Sequence, residues 1–444
     1  MSVSPQTQPP AARDPRAQPP RNGPLPPRVG NVPTGGIGAQ TRSSVEPADR
    51  PEPAILLPRR RPGRLGPLHL VQLLIAEVVL ISVLLALTGG ALAAAVAGVV
   101  GALLLLLALA RDHGRWWLEK RVMTWHYRRR QRTSAGVPNG DDPRLVALRV
   151  LAPGLTVENV EVAGDQRVGV ARDDAGWFAV AEVTLKPPAR GEPGGLPLDR
   201  LVSALVDAEQ PGAVLQVVTQ AVPAPSLTLS PAAPARQSYQ QLLGRYGAVP
   251  ADQQTWIAVR LDARTVAEAG ASGGAELDVA PAVVATLVRR VAKSLRWIGI
   301  THRLLDAEEL VVVLAHSCDL ESGHSTEPVR PRENWGEWHS ARLAHRSFWI
   351  RGWPSLADGS ALLARVSATT AAMTSVAVIL APDDDARTVD LRALVRVAAP
   401  GADLGPICQS LTRGAERANA ELFPLDGEQG PAVYASAPTG GGAR

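Results

Sequence analysis

The longest predominantly apolar run of the chain covers residues 68–110, and Thr88-Gly89-Gly90 interrupts it near its middle. An α-helix rises about 1.5 Å per residue and the hydrocarbon core of a bilayer is about 30 Å thick, so one span needs about 20 residues. The pattern therefore predicts a two-helix transmembrane hairpin, with helices at residues 68–87 and 91–110 and a glycine turn between them. One span followed by a buried helix is the alternative that the pattern leaves open.

Beyond this run, the spacing of apolar residues alternates between strand-like and helix-like periods. Strands are predicted at residues 168–171, 177–185, 213–222, 255–261, 346–353, 374–380 and 389–397, and helices at 198–208, 281–299, 356–370 and 404–419. Both halves have the order β-α-β-β-α, which predicts an α/β domain, or a mixed α+β domain, built from a duplicated unit. Chance alternation is the competing explanation, because the halves share a pattern and not residue identities.

Composition divides the chain into five segments. Residues 1–67 are rich in proline and arginine and poor in aromatic residues, which predicts a disordered arm. The hairpin at 68–110 is followed by a basic, aromatic juxtamembrane helix at 111–135. The α/β domain is predicted at 140–425 and a disordered tail at 426–444.

Arginines flank the hairpin on both sides, whereas its turn carries no charge. Cationic residues near span ends remain cytoplasmic, so the pattern predicts a plasma-membrane protein with both termini in the cytoplasm. Trp116 and Trp117 open the basic segment, and aromatic rings among cations are typical of contact with lipid headgroups. A net charge of +4 over 444 residues gives no support for a nucleic-acid partner.

Three residues of the hairpin are candidate contacts with other subunits. Glu77 stands near the middle of the first helix, where a carboxylate is costly unless it faces protein or stays neutral. Ala94 and Gly98 belong to a series of small residues spaced four apart, a pattern that lets another helix approach closely. In an alanine-rich helix the same spacing also arises by chance.

The search for catalytic motifs predicts no enzyme and no cofactor. The chain has no G-x-x-x-x-G-K-[ST] motif, and no G-x-G-x-x-G follows a predicted strand. Residues 270–274 match G-x-S-x-G, but a helix-like segment precedes the serine and a glycine-alanine loop follows it. A nucleophile elbow needs a strand before its serine and a helix after it, so a surface loop is the preferred interpretation.

His316, Cys318, Asp319 and His324 form the one cluster with metal-ligand chemistry. Their spacing matches no structural zinc pattern, so no metal site is predicted. A buried cysteine usually packs as a small hydrophobic residue, and a histidine at a helix end usually caps carbonyl groups.

Four of the ten tryptophans lie in residues 334–354, among them Trp335, Trp349 and Trp353. Alternation predicts that Phe348 and Ile350, together with Trp338, point into the core, and that Ser347, Trp349 and Arg351 point outward. Outward tryptophans are candidate interface anchors, because tryptophan and arginine are enriched at binding hot spots.

Several segments then resemble a known family in content and order: RVGVARDDAGWFAVAEV, TWIAVRLD, GITHRLLDAEELVVVLA and HRSFWIRGWP. Together with the arm, the apolar hairpin and the basic tryptophan-containing stretch, they are similar to EccE, the membrane component of the type VII (ESX) secretion machinery. The resemblance runs from Arg59 to about Asn419 and rests on dispersed residues. The long proline-rich arm departs from the family pattern.

The resemblance implies a non-catalytic structural subunit of a multi-protein inner-membrane complex. Its expected partners are a multi-span channel-like subunit and a motor ATPase, with membrane lipids at the basic aromatic stretch. Two alternatives belong to other classes: a membrane-tethered enzyme at the cytoplasmic face, and a sensor that binds a headgroup or small ligand.

Overall fold

The computed structural model describes residues 55–58, 64–65, 68–112, 115–133, 142–162, 166–185, 197–208, 210–223, 232–246, 252–271, 279–321, 331–340, 342–382 and 388–441. These residues all fall within one compact unit, Glu52–Arg444. Most of the arm predicted at residues 1–67 lies outside the described residues.

The first described elements lead into three helices. The strands are β1 (Ile55–Pro58), β2 (Arg64–Leu65), β3 (Leu68–His69), β4 (Arg111–Asp112) and β5 (Arg115–Trp116), and the helices are α1 (Leu70–Thr88), α2 (Ala91–Leu109) and α3 (Trp117–Thr133). Helices α1 and α2 pack against each other. Gly90, with φ of +105°, makes the turn between them in a conformation that favours glycine.

The predicted two-span transmembrane hairpin is wrong: in the described part of the chain, no helix is both long and apolar enough to cross a membrane. Helices α1 and α2 have 19 residues each, which at about 1.5 Å per residue gives about 28 Å, just under the ~30 Å hydrocarbon core. The orientation predicted from the flanking arginines depended on that hairpin.

After α3 the chain forms an α/β domain. Its strands are β6 (Thr156–Val162), β7 (Gln166–Asp173), β8 (Gly176–Thr184), β9 (Ala213–Val222), β10 (Asp252–Asp262), β11 (Thr301–Leu304), β12 (Arg332–Glu333), β13 (Trp338–His339), β14 (Ala344–Gly352), β15 (Met373–Pro382), β16 (Thr388–Ala399) and β17 (Glu421–Pro424). Its helices are α4 (Pro143–Leu151), α5 (Leu198–Val206), α6 (Pro234–Tyr246), α7 (Ala263–Ala271), α8 (Ala280–Trp297), α9 (Ala307–Ser317), α10 (Leu356–Ser367), α11 (Gly401–Glu416) and α12 (Gln429–Ala435).

One large sheet organises the domain, in the order β12-β13-β14-β16-β15-β9-β10-β8-β7-β6. Strand β11 also pairs with β8, and β17 with β14, and all of these pairs are antiparallel. Strand β1 differs, because it joins β16 in parallel, with Ile55 opposite Thr388. Apolar side chains from α5, α8, α10 and α11 cover one face of the sheet, and those from α4, α9 and α12 cover the other. Central strands such as β15 are therefore buried on both faces and read as continuous apolar runs.

The order of elements repeats along the domain. The first half has the order β6, β7, β8, α5, β9, β10, α8, β11, α9, and the second half has the order β12, β13, β14, α10, β15, β16, α11, β17, α12. Helices α6 and α7 are additions to the first half. The sheet order places corresponding strands at mirrored positions, and β9 and β15 meet at its centre. Val217 pairs there with Val378, so the two halves meet through the same edge of corresponding strands.

The end of the chain differs from the predicted disordered tail at 426–444. Up to Gly441 it is described and largely buried, with Val433 and Tyr434 in the core under the sheet. The side-chain oxygen of Gln216 accepts three backbone N–H groups from residues 439–441, at 2.7 to 3.1 Å. The segment is short and rich in glycine and alanine, so its sequence shows no helical or strand period. It is nevertheless ordered, because its backbone polar groups find hydrogen-bond partners inside the domain.

Candidate interaction site at helix α3

Helix α3 is docked on the α/β domain by one of its faces. The Tyr127 ring lies edge-on to the Trp335 ring, with centroids 5.5 Å apart. The Arg130 guanidinium binds the Glu333 carboxylate through two nitrogens, at 3.1 and 3.3 Å, and also donates to the backbone oxygen of Gly427. Because bidentate pairs fix geometry as well as charge, this contact sets the rotation of α3 on the domain.

Glu333 connects α3 to the buried end of the chain. Its carboxylate accepts the backbone N–H of Gly430, at 3.0 Å, as well as the Arg130 guanidinium. Gly427 has φ of +82°, and a Cβ added there would lie 2.8 Å from the Trp335 ring. The docking site thus requires glycine at 427, because both the backbone conformation and the available space exclude a side chain.

The opposite face of α3 is exposed, basic and aromatic. The Trp125 side chain is 58% exposed, and the Arg129 guanidinium lies 5.7 Å from the centre of its ring. The Arg121 guanidinium lies 4.9 Å from the Trp117 ring in the same way. Such stacking keeps the cations at the surface while the rings remain available for contact.

The candidates from the apolar helices occupy different environments. Glu77 is exposed on α1, and Ala94 and Gly98 are partly buried on α2. A Cβ added to Gly98 would meet no atom within 4 Å, whereas one added to Gly101 would lie 2.5 Å from a methyl carbon of Val79. The close approach of α1 and α2 is therefore at Gly101 and not at Gly98.

The structure brings only one predicted tryptophan to the docking site, Trp335. Trp117 is partly buried at the start of α3, and Trp116 lies in β5 with its side chain outside the described part. Trp349 and Trp353 are also partly buried, and Trp353 packs against the core with α10. These residues remain candidate contacts with other proteins.

Alternation along β14 correctly predicts that Phe348 and Ile350 are buried, and Trp338 on β13 is buried as well. The outward prediction for Ser347 is wrong, since this residue is fully buried and its backbone N–H donates to the side-chain oxygen of Gln429. Helix α12 covers that face of the strand, and a strand covered on both faces does not follow simple alternation.

A buried polar cluster occupies the region where metal chemistry was considered. Asp319 accepts hydrogen bonds from Ser340 and from Arg342, the latter at 2.7 Å, and its carboxylate lies 3.5 Å from the His345 ring nitrogen. The fully buried Arg396 lies 3.4 Å from the other ring nitrogen of His345 and donates to the backbone oxygen of Ser317 at 2.5 Å.

The charges of this cluster follow from its burial. Burial, together with the charge of Arg396, lowers the pKa of His345 to about 4. Burial alone would raise the pKa of Asp319, but hydrogen bonds from His345, Ser340 and Arg342 outweigh it and hold the pKa at about 2. Near neutral pH the histidine is therefore neutral and the aspartate charged. Solvent does not reach His345 or Arg396, whereas the half-exposed side chain of Arg342 connects Asp319 to the protein surface.

The described residues among those considered as metal ligands make separate contacts. His316 pairs with Glu321 at 3.3 Å, Cys318 is buried with its pKa raised to about 12, and His324 lies outside the described residues. Within the described segments, no group of three potential ligands forms a metal site. Most of the G-x-S-x-G segment at 270–274 also lies outside them.

Sequence reasoning missed a second buried cluster. Arg260 forms two hydrogen bonds with Asp173, at 2.8 and 2.5 Å, and donates a third to the backbone oxygen of Thr439. Tyr434 also donates to Asp173, at 2.9 Å. The available signal was an arginine inside the apolar strand TWIAVRLD, because a charge in such a strand needs a buried partner.

One segment of the chain matches a known protein family. Residues 249–350 match the family model described as "Putative type VII ESX secretion system translocon, EccE". No curated protein matches the chain. The matched segment begins just before β10, ends within β14 and contains α8, Glu333 and Trp335. Over residues 249–350 this chain is therefore similar to the EccE family, which confirms the resemblance inferred from its sequence.

Proposed function

We propose that this protein is a non-catalytic structural subunit of a membrane-associated, multi-protein complex for type VII (ESX) secretion. The observation that carries the proposal is the match of residues 249–350 to a family described as a component of the type VII translocon. Its partners are then other subunits of the secretion complex, including a channel-like membrane subunit and a motor ATPase.

Two connections between the helices and the domain support a structural role. Strand β1, which precedes α1, pairs with β16, and α3, which follows α2, is held by Glu333 and Trp335. The apolar helix pair is thus attached to the domain on both sides. A subunit that fixes the position of one part of a complex relative to another needs such attachment.

The chemistry of the buried clusters supports the absence of catalysis. Large pKa changes occur at His345, Cys318 and Tyr434, all of which are buried. A general acid or base must reach the proton that it transfers, and these groups reach only each other and the protein.

The outer face of α3 supports membrane association. Trp125 and the exposed arginines beside it combine an amphipathic ring with cations, which is the chemistry that binds anionic lipid headgroups. We assign this face to contact with the membrane surface.

The proposal is tested by purifying the tagged protein from its own host under mild detergent. We expect a large complex that contains a motor ATPase. Glu333→Gln should lower its recovery, because α3 loses the carboxylate that orients it, whereas Glu337→Gln removes a nearby surface carboxylate and should leave recovery unchanged. Recovery of the chain alone, as a monomer or a homo-oligomer, would contradict the proposal.

A further inference from the structure

The outer face of α8 carries more charge and aromatic surface than packing requires. The inner face packs on the sheet through residues such as Val284, Val288 and Leu295. The last three turns present an outer face of Arg289, Arg290, Lys293, Arg296 and Trp297. At 100° per residue, these five positions span an arc of about 120°, so they form one continuous surface.

Trp297 is the most conspicuous member of this surface. Its side chain is 81% exposed, more than that of any other large apolar residue described outside α2. Tryptophan is normally well buried because its ring offers a large apolar area. The adjacent Ile298 is also exposed, so the end of α8 forms an apolar projection beside the cations.

The four cations have no acidic partner in the described part of the domain. Among the described residues, none of them lies within 4.0 Å of a carboxylate, and Arg290 donates instead to the backbone oxygen of Asp207 at 3.0 Å. The charge of Arg296 also affects a neighbouring residue, because burial and this charge together lower the pKa of His302. The surface therefore carries four cations that form no ion pair with the described residues.

The fold itself does not require this chemistry. Helix α11 is the counterpart of α8 in the second half and packs on the same face of the sheet. Its exposed positions include Gln409, Ser410, Arg413 and Glu416, which are mixed in charge and lack an aromatic ring. Cations near a helix C-terminus add a few tenths of a kcal/mol of dipole stabilisation, which does not account for an exposed tryptophan.

The position of α8 favours a protein over a lipid surface. Helix α3, which we assign to the membrane, docks at β12, whereas α8 packs on β8. Seven strand steps separate these two strands in the sheet, which corresponds to about 30 Å. Tryptophan and arginine are also the residues most enriched at protein–protein hot spots.

We infer that the outer face of α8 binds an acidic segment of another subunit, whose carboxylates pair with Lys293, Arg296 and their neighbours and whose apolar side chains cover Trp297. This inference deepens the proposed function and rests on it. The partner is defined by its chemistry: several Asp or Glu residues beside at least one exposed apolar side chain.

The test uses the full-length protein in its host, with photoreactive benzoylphenylalanine at position 297. We expect one discrete protein adduct, which peptide mass spectrometry maps to a segment rich in Asp and Glu. The same residue at Thr286, exposed on α8 before the cationic turns, is the matched control and should give at least tenfold less of this adduct. Lys293→Glu with Arg296→Glu should remove the adduct while the thermal unfolding midpoint remains unchanged.

Four results would overturn the inference: no protein adduct at 297, an adduct with lipid, an adduct with a neutral or basic segment, or an adduct that survives the charge reversal. The two proposals can fail separately. A purified complex without an adduct at 297 removes only the inference about α8, whereas recovery of the chain alone removes the assembly role.

Discussion

Arg260 and Arg396 occupy corresponding positions in the two halves of the domain, on β10 and β16, and each donates to a backbone oxygen near the end of the other half's last helix. Arg260 binds the oxygen of Thr439, which follows α12, and Arg396 binds the oxygen of Ser317, at the end of α9. Both side chains are buried. The two halves are therefore joined by reciprocal charge-assisted hydrogen bonds as well as by the sheet.

The Arg260–Asp173 pair should be essential for stability. Removing one partner of a buried ion pair typically costs about 3–5 kcal/mol, because the other charge is left uncompensated. We expect Arg260→Met to lower the free energy of unfolding by about 3 kcal/mol, measured by urea denaturation. Arg200→Met removes an arginine that is 69% exposed and should change it by less than about 0.5 kcal/mol. Equal effects of the two substitutions on the free energy of unfolding would refute a stabilising role for the Arg260–Asp173 pair.

Gln216 should hold the end of the chain in the domain. Gln216→Leu leaves three buried backbone N–H groups without their acceptor, and each such group costs about 1 kcal/mol or more. We expect faster hydrogen exchange across residues 436–441. Gln253→Leu, at an exposed position of β10, is the control. Exchange that stays as slow as in the parent protein would show that other contacts hold residues 436–441 in the domain without Gln216.

His345 should make stability depend on pH. Its pKa is about 4 in the folded protein and near 6.5 in an unfolded chain, so between these values the unfolded state binds a proton that the folded state does not. Stability should fall as the pH drops from 6.5 to 4, by up to about 3 kcal/mol. Asp319, with its lowered pKa, contributes a further loss only below about pH 4.

The pH effect of His345 is isolated by comparing unfolding curves of the parent and His345→Gln from pH 7 to 4. The variant should lose most of the slope between pH 6.5 and 4, and His126→Gln, at an exposed site on α3, should retain it. An unchanged slope in the His345 variant would mean that other groups titrate in this range.

The contact between α1 and α2 should depend on Gly101 and tolerate change at Gly98. A leucine at 101 would collide with Val79, whereas one at 98 meets open space. Spin labels at the exposed positions Leu74 and Leu106 report the separation of the helix ends. We expect Gly101→Leu to lengthen the measured distance by several ångströms and Gly98→Leu to leave it unchanged. The opposite result would place the close approach at Gly98.

Sequence patterns predict the local elements of this domain well. Strand β9 has the predicted bounds, and β14 buries Phe348 and Ile350 as alternation requires. The same reasoning failed for the apolar helices, where an apolar run long enough for two spans and broken by glycines was taken as evidence of a transmembrane hairpin. It also failed where partners are distant in sequence: Arg260 meets Asp173, and Glu333 meets Arg130, through contacts that no local period encodes. At the docking site, the sequence indicated only the basic character of α3. Trp335 was predicted as a contact with another protein, which stays a prediction, and its contact with Tyr127 was not predicted.

The junction of β9 and β15 determines when the protein can become stable during synthesis. Val217 and Val378 are about 160 residues apart, so the central pairing must wait until most of the chain has left the ribosome. Until then the first half presents the long apolar edge of β9, the kind of surface that pairs with other nascent chains and aggregates. Truncation after the first half should therefore give insoluble material, because the edge of β9 that β15 covers in the complete domain stays unpaired.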